Sequence, residues 1–94
     1  MQKKLDIKQS KAFKKSYKKY RHDKVFLSEL LAVLEILQVQ GELPAKYCDH
    51  ELKGNFKGIR ECHIRPDDLL LYFIIEDEIL KLVDIGSHAK IFNM

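Results

Sequence analysis

Apolar residues recur along the chain with two different periods. Leu5 and Ile7 alternate with Lys4 and Asp6, which predicts a short strand with one buried face. Ser10 is then placed as the N-cap of a helix running to about Tyr20. In it Phe13, Tyr17 and Tyr20 fall at i, i+4 and i+7, one apolar stripe with lysines on the remaining faces. Asp23 caps a second helix, where Phe26, Leu27, Leu30, Leu31, Val33, Leu34 and Leu37 repeat at helical spacing until Gly41. The short link between the helices implies a helical hairpin.

Residues 41–58 carry Gly41, Pro44, Gly54 and Gly58 and read as a long connection. Ile59 to Arg65 alternates as a strand ending at Pro66. Alternation puts Cys62 and Ile64 on a core face, with Glu61, His63 and Arg65 on the other. Leu69 to Ile75 is almost continuously apolar, the pattern of a central strand covered on both faces. Glu76-Asp77-Glu78 is a polar turn, and Ile79 to Ile85 completes an antiparallel pair. On this last strand Leu80, Leu82 and Asp84 are expected to share a face, opposite Lys81, Val83 and Ile85. Gly86 ends it, leaving a tail from Ser87 to Met94. The order β-α-α-β-β-β predicts an α+β fold, a helical hairpin packed on a mostly antiparallel four-stranded sheet.

Composition narrows the class. Ninety-four residues, 46% hydrophobic and 33% charged, suit a single domain over 1–94 with a real core and exclude wholesale disorder. No apolar run approaches the length of a membrane span, and the opening Met-Gln-Lys-Lys does not read as a signal sequence. Two cysteines, Cys48 and Cys62, are too few for a disulfide scaffold, so a reduced, cytoplasmic protein is expected. The net charge of +3 hides a strong asymmetry, with residues 1–24 carrying +8 and the remainder −5. A basic segment of this kind attracts polyanions through counterion release, although a solvated lysine-rich helix would look the same.

Candidate chemistry lies in the less basic part. His50 falls in the connection, His63 near a strand end with Asp67 four residues on, and His88 just after the last strand. Imidazoles and a carboxylate converging at one sheet edge suit proton transfer near neutral pH. RNA is a substrate that needs it. A base takes the 2′-hydroxyl proton, the oxygen attacks phosphorus, and an acid protonates the departing 5′-oxygen, with cations stabilising the phosphoryl charge. No metal or cofactor is required. Cys48-Asp49-His50 and Cys62-His63 also offer zinc ligands, but neighbours on a strand point apart and neither pair has ligand spacing. Cys62 reads as core, His22 as incidental, and Phe56 as an aromatic open to either RNA or a protein partner.

The segments Tyr47-Cys48-Asp49-His50-Glu51-Leu52-Lys53-Gly54, Lys57-Gly58-Ile59-Arg60-Glu61-Cys62-His63-Ile64-Arg65-Pro66-Asp67 and Gly86-Ser87-His88-Ala89-Lys90-Ile91-Phe92 together resemble the YafQ branch of the RelE/ParE toxin superfamily. The resemblance implies the toxin of a type II toxin–antitoxin system, a ribosome-dependent mRNA endoribonuclease (mRNA interferase) that stops translation. It implies catalytic roles for His50, His63, Asp67 and His88, and substrate holding by Phe92. It also implies an acidic DinJ- or RelB-like antitoxin, the ribosome and mRNA as partners, and operator DNA only through the toxin–antitoxin complex. Lys11, Lys14, Lys15, Lys18 and Lys19 are expected to dock on ribosomal RNA.

Two positions depart from that pattern. The arginine usual two residues before the Gly of the last motif is here Asp84, which exchanges a phosphate clamp for a repelling charge. Either Arg65, Arg60, Lys53 or Lys57 supplies the cation while Asp84 orients a histidine, or the site is weak. In the second case the site is weak or specialised to another substrate, and the chain is a catalytically weak or non-nuclease binding toxin of the same fold, for example one directed at gyrase. A tryptophan following the motif aspartate in the best-known member is replaced by Asp68.

Overall fold

The computed structural model describes residues 3–92. Its elements are β1 (Asp6–Gln9), α1 (Lys11–Tyr17), α2 (Lys24–Gln38), β2 (His50–Glu51), β3 (Arg60–Arg65), β4 (Asp68–Ile75), β5 (Ile79–Gly86) and α3 (His88–Phe92). Local chemistry sets the helix starts. Ser10 Oγ accepts from the Phe13 amide at 2.9 Å and Asp23 Oδ1 from the Phe26 amide at 3.0 Å, so both expected caps are in place. A 3₁₀ turn, Lys18–Tyr20, carries α1 into the link. At the end of α2 the left-handed residue is Gln40 (φ 53°), and the Gly41 amide reaches back to the Ile36 carbonyl at 2.9 Å.

The sheet has five strands in the order β1-β5-β4-β3-β2, one more than the sequence pattern predicts. β1 runs parallel to β5, and every other pair is antiparallel. The additional strand is the two-residue β2, too short to show alternation and defined only by its pairing with β3. The tail expected after Gly86 contains the five-residue helix α3.

Leu5, Phe13, Tyr20, Phe26, Leu30, Val33, Leu37, Cys62, Ile64, Leu70, Tyr72, Leu80, Leu82 and Ile85 belong to one core between the hairpin and the sheet. Burial pushes the Cys62 thiol up to about 12, so it stays a neutral packing group. Leu69 and Leu71 are also buried but lie outside that cluster, which fits the expectation that β4 is covered on both faces. Simple alternation fails on β5. Tyr72 pairs with Leu82 and Leu71 with Asp84, so Val83 is an extra residue in a bulge. The bulge returns Ile85 to the core face and puts Asp84 opposite Leu71, rather than on the face of Leu80 and Leu82.

Candidate active site

Strand pairing brings distant residues into two neighbouring rows. One runs His50, Glu61, Leu71, Asp84 across β2, β3, β4 and β5; the next runs His63, Leu69, Gly86. His88 begins α3 two residues past Gly86, across β4 from His63. With strands about 4.8 Å apart, the backbone of His63 and that of Gly86 stand roughly 10 Å apart, enough for a phosphodiester between them.

Glu61 is the pivot on the β2–β3 side. Its Oε1 lies 3.3 Å from His63 Nε2 and 3.6 Å from His50 Nε2. The glutamate side chain is only 7% exposed, against 28% for His63 and 52% for His50, so the rings cover it. The other nitrogen of each ring also faces an acceptor: His50 Nδ1 is 2.7 Å from the Cys48 carbonyl, and His63 Nδ1 is 3.2 Å from that of Pro66. A neutral imidazole satisfies one of two such acceptors, whereas an imidazolium satisfies both. Sequence reasoning placed Glu61 on the histidine face but gave it no role. Its position two residues before His63 on one strand face is the signal that could have found it.

The backbone beside His50 is fixed by charge. Arg60 donates to Asp49 through Nε (3.3 Å) and Nη2 (3.1 Å), and the buried Tyr72 hydroxyl donates to Asp49 Oδ1 at 2.6 Å. The Asp49 carboxylate holds the Arg60 guanidinium above its ordinary range, while burial and the same carboxylate raise the Tyr72 phenol. Cys48, whose carbonyl meets His50, adopts a left-handed conformation (φ 48°).

The cations named from sequence do not share one fate. The Arg60 fork is committed to Asp49. Arg65 donates to Asp68 at 2.8 Å and Asp23 at 3.0 Å, with its guanidinium 4.9 Å from the Phe26 ring centre, so it braces the fold. Asp68 also accepts from Tyr20 at 2.8 Å, which gives this aspartate a structural task at the position of the tryptophan. Lys53 and Lys57 are exposed and flank Phe56 in the β2–β3 loop.

Asp84 meets no imidazole. Its Oδ1 accepts from the Ser16 hydroxyl at 2.7 Å and the Ile85 amide at 2.8 Å, with Lys90 Nζ at 3.5 Å. The carboxylate that stands beside imidazoles is Glu61 instead. Asp67 is exposed in the β3–β4 turn, next to the Pro66 whose carbonyl meets His63.

Just past the end of β5, His88 packs against Phe92 with ring centres 4.7 Å apart, and Phe92 meets the edge of Phe56 at 5.4 Å and 87°. Phe56 belongs to the β2–β3 loop, so this contact joins the element bearing His88 to the loop between the other two histidines. Among the described residues, no group of three or more His, Cys, Asp or Glu side chains could hold a metal ion.

A helical hairpin over a mostly antiparallel sheet is the fold of the RelE-like toxins, shared with YafQ from E. coli strain BL21(DE3). Over residues 5–93 the sequence matches the family described as the bacterial toxin of type II toxin–antitoxin system, YafQ, and the chain belongs to that family. The mRNA interferase toxin YafQ of Escherichia coli strain K12 is 43% identical over 51 residues, 54% of this chain and 54% of that protein. That match spans about half the length of the curated relative. Among solved structures, the metal-bound toxin from Helicobacter pylori is 43% identical with TM-score 0.84, covering 94% of this chain and 99% of the other. The E. coli DinJ-YafQ toxin–antitoxin complex contains a chain 31% identical with TM-score 0.81, covering 95% of this chain and 98% of that one.

Proposed function

We propose that this chain is the toxin of a type II toxin–antitoxin pair and cuts mRNA on the ribosome by 2′-hydroxyl attack. The observation that carries the reading is the single carboxylate oxygen of Glu61 lying within 3.3 and 3.6 Å of two imidazoles, with a third across β4. A proton taken from the 2′-hydroxyl goes to an imidazole on the Glu61 side, because the carboxylate stabilises the imidazolium formed there. The freed oxygen bonds to phosphorus and the bond to the 5′-oxygen breaks, giving a 2′,3′-cyclic phosphate. In-line displacement puts the attacking and leaving oxygens on opposite sides of phosphorus. His88, which follows β5 on the far side of β4, is then the group that protonates the 5′-oxygen. Asp67 supports His63 from the turn, Phe92 offers a ring to a base, and Lys53 and Lys57 offset phosphoryl charge.

The curated relative's name, mRNA interferase toxin, supports the same reaction. The DinJ-YafQ complex supports an antitoxin partner, here one acidic enough to meet the basic α1. The non-nuclease alternative rested on Asp84, and its negative charge is already compensated by Lys90. Primer extension on programmed ribosomes tests the proposal. Wild-type protein is expected to give discrete cuts, and His50→Ala with His88→Ala to abolish them while leaving the far-ultraviolet circular dichroism unchanged. Intact message with the wild type, or undiminished cutting by the double variant, would overturn it.

A further inference from the structure

We propose that Asp84 and Lys90 form an ion-paired clasp that fixes α3, and with it His88 and Phe92, onto the end of β5 and onto α1. The proposal deepens the nuclease reading and rests on it only for the catalytic consequence. α3 has five residues and none of them is buried, so its own backbone bonds cannot hold it in place. Ser87 holds its first turn: Ile91 N–H donates to the Ser87 carbonyl at 3.0 Å, and Lys90 N–H to Ser87 Oγ at 3.2 Å.

The Lys90 side chain supplies a tertiary anchor. Its ammonium donates to Ser16 Oγ of α1, lies 3.4 Å from the Ile85 carbonyl and stands 3.5 Å from Asp84 Oδ1. An ammonium has three donors, and three acceptors surround this one. Lys90 is therefore occupied as a tether rather than held open for phosphate. Ser16 is buried and closes the triangle by donating to Asp84. Gly86 makes room for the lysine stem, since a Cβ there would stand 2.9 Å from Lys90 Cδ. The Phe56–Phe92 edge contact holds the other end of α3. The charge at position 84, inverted from the family's usual arginine, thus has its complement six residues later. Both are positioning residues.

The test uses the full chain in the variants Lys90→Met, Asp84→Asn and the swap Asp84→Lys with Lys90→Glu. Amide hydrogen exchange reports α3 directly through Ile91, and single-turnover cutting on programmed ribosomes reports its consequence. Lys90→Met and Asp84→Asn are each expected to speed Ile91 exchange about tenfold. Each should also slow cutting by roughly ten- to a hundredfold, with ribosome affinity unchanged. The swap should recover both properties. Ile91 exchange unchanged in both single variants would overturn the clasp. So would weaker ribosome binding by Lys90→Met with α3 still protected, which would make Lys90 a phosphate ligand. A wild type that leaves message intact while showing clasp-dependent exchange would sink the nuclease reading and leave the clasp standing.

Discussion

Glu61 serves two imidazoles with one oxygen. The carboxylate is only 7% exposed, and Nε2 of His63 and of His50 stand 3.3 and 3.6 Å from its Oε1, each making an ion pair when the ring is protonated. The same proximity lets Glu61 stabilise positive charge as either ring takes up a proton. Glu61→Gln keeps the shape and an acceptor oxygen but removes that charge. Under the proposed mechanism it should lower the single-turnover cutting rate by about a hundredfold, the usual scale for losing assisted proton transfer. Ribosome affinity should not change. A variant that cuts at the wild-type rate would reduce Glu61 to a packing role beneath the rings.

At the scale of elements, Asp23 links the hairpin to the sheet. It caps α2 by accepting from the Phe26 amide and pairs with Arg65 of β3 at 3.0 Å. The amide hydrogen bond first, and the Arg65 guanidinium second, hold its carboxyl below the usual range. A carboxyl whose folded value is depressed adds stability above its unfolded value, and that contribution disappears as pH falls through the folded value. The melting temperature of the wild type should therefore exceed that of Asp23→Ala at pH 7, and the gap should close on acidification through and below the ordinary carboxylate range. A gap that persists unchanged at pH 2 would mean the cap is not acting as an anion. Features as local as this cap are legible in sequence, since Ser10 and Asp23 act on amides three residues away. The helical hairpin and the long strands follow from periodicity in the same way. β2 was hidden because its two residues become a strand only through β3, and the role of Glu61 was hidden with it, since His50 reaches Glu61 by that pairing. The Val83 bulge breaks alternation without a glycine or proline to announce it. α3 is too short to show a helical period.

The whole molecule separates two kinds of surface. Phe13 and Ser16 anchor α1 against the sheet, while Lys11, Lys14 and Lys15 of α1 and Lys18 and Lys19 of the 3₁₀ turn after it are all exposed. His50, His63, His88 and Glu61 lie instead on β2, β3 and the start of α3, within the part of the chain whose net charge is −5. A site that is not itself strongly basic gains little from long-range attraction of RNA, so under the proposed function encounter should depend on these lysines. Binding by phosphate contacts makes log K fall linearly with log salt, by about 0.7 to 0.9 for each phosphate neutralised. Replacing the five lysines with glutamine should leave the fold intact, because none of them is in the core. It should also flatten the salt slope of ribosome binding by roughly 3.5 to 4.5 if every lysine meets a phosphate. Cutting by any complex that still forms should proceed at the wild-type rate, since no catalytic group has changed. A slope that stays the same would move docking off α1, and a lost cutting rate within formed complexes would mean that α1 orients the site as well as delivering it.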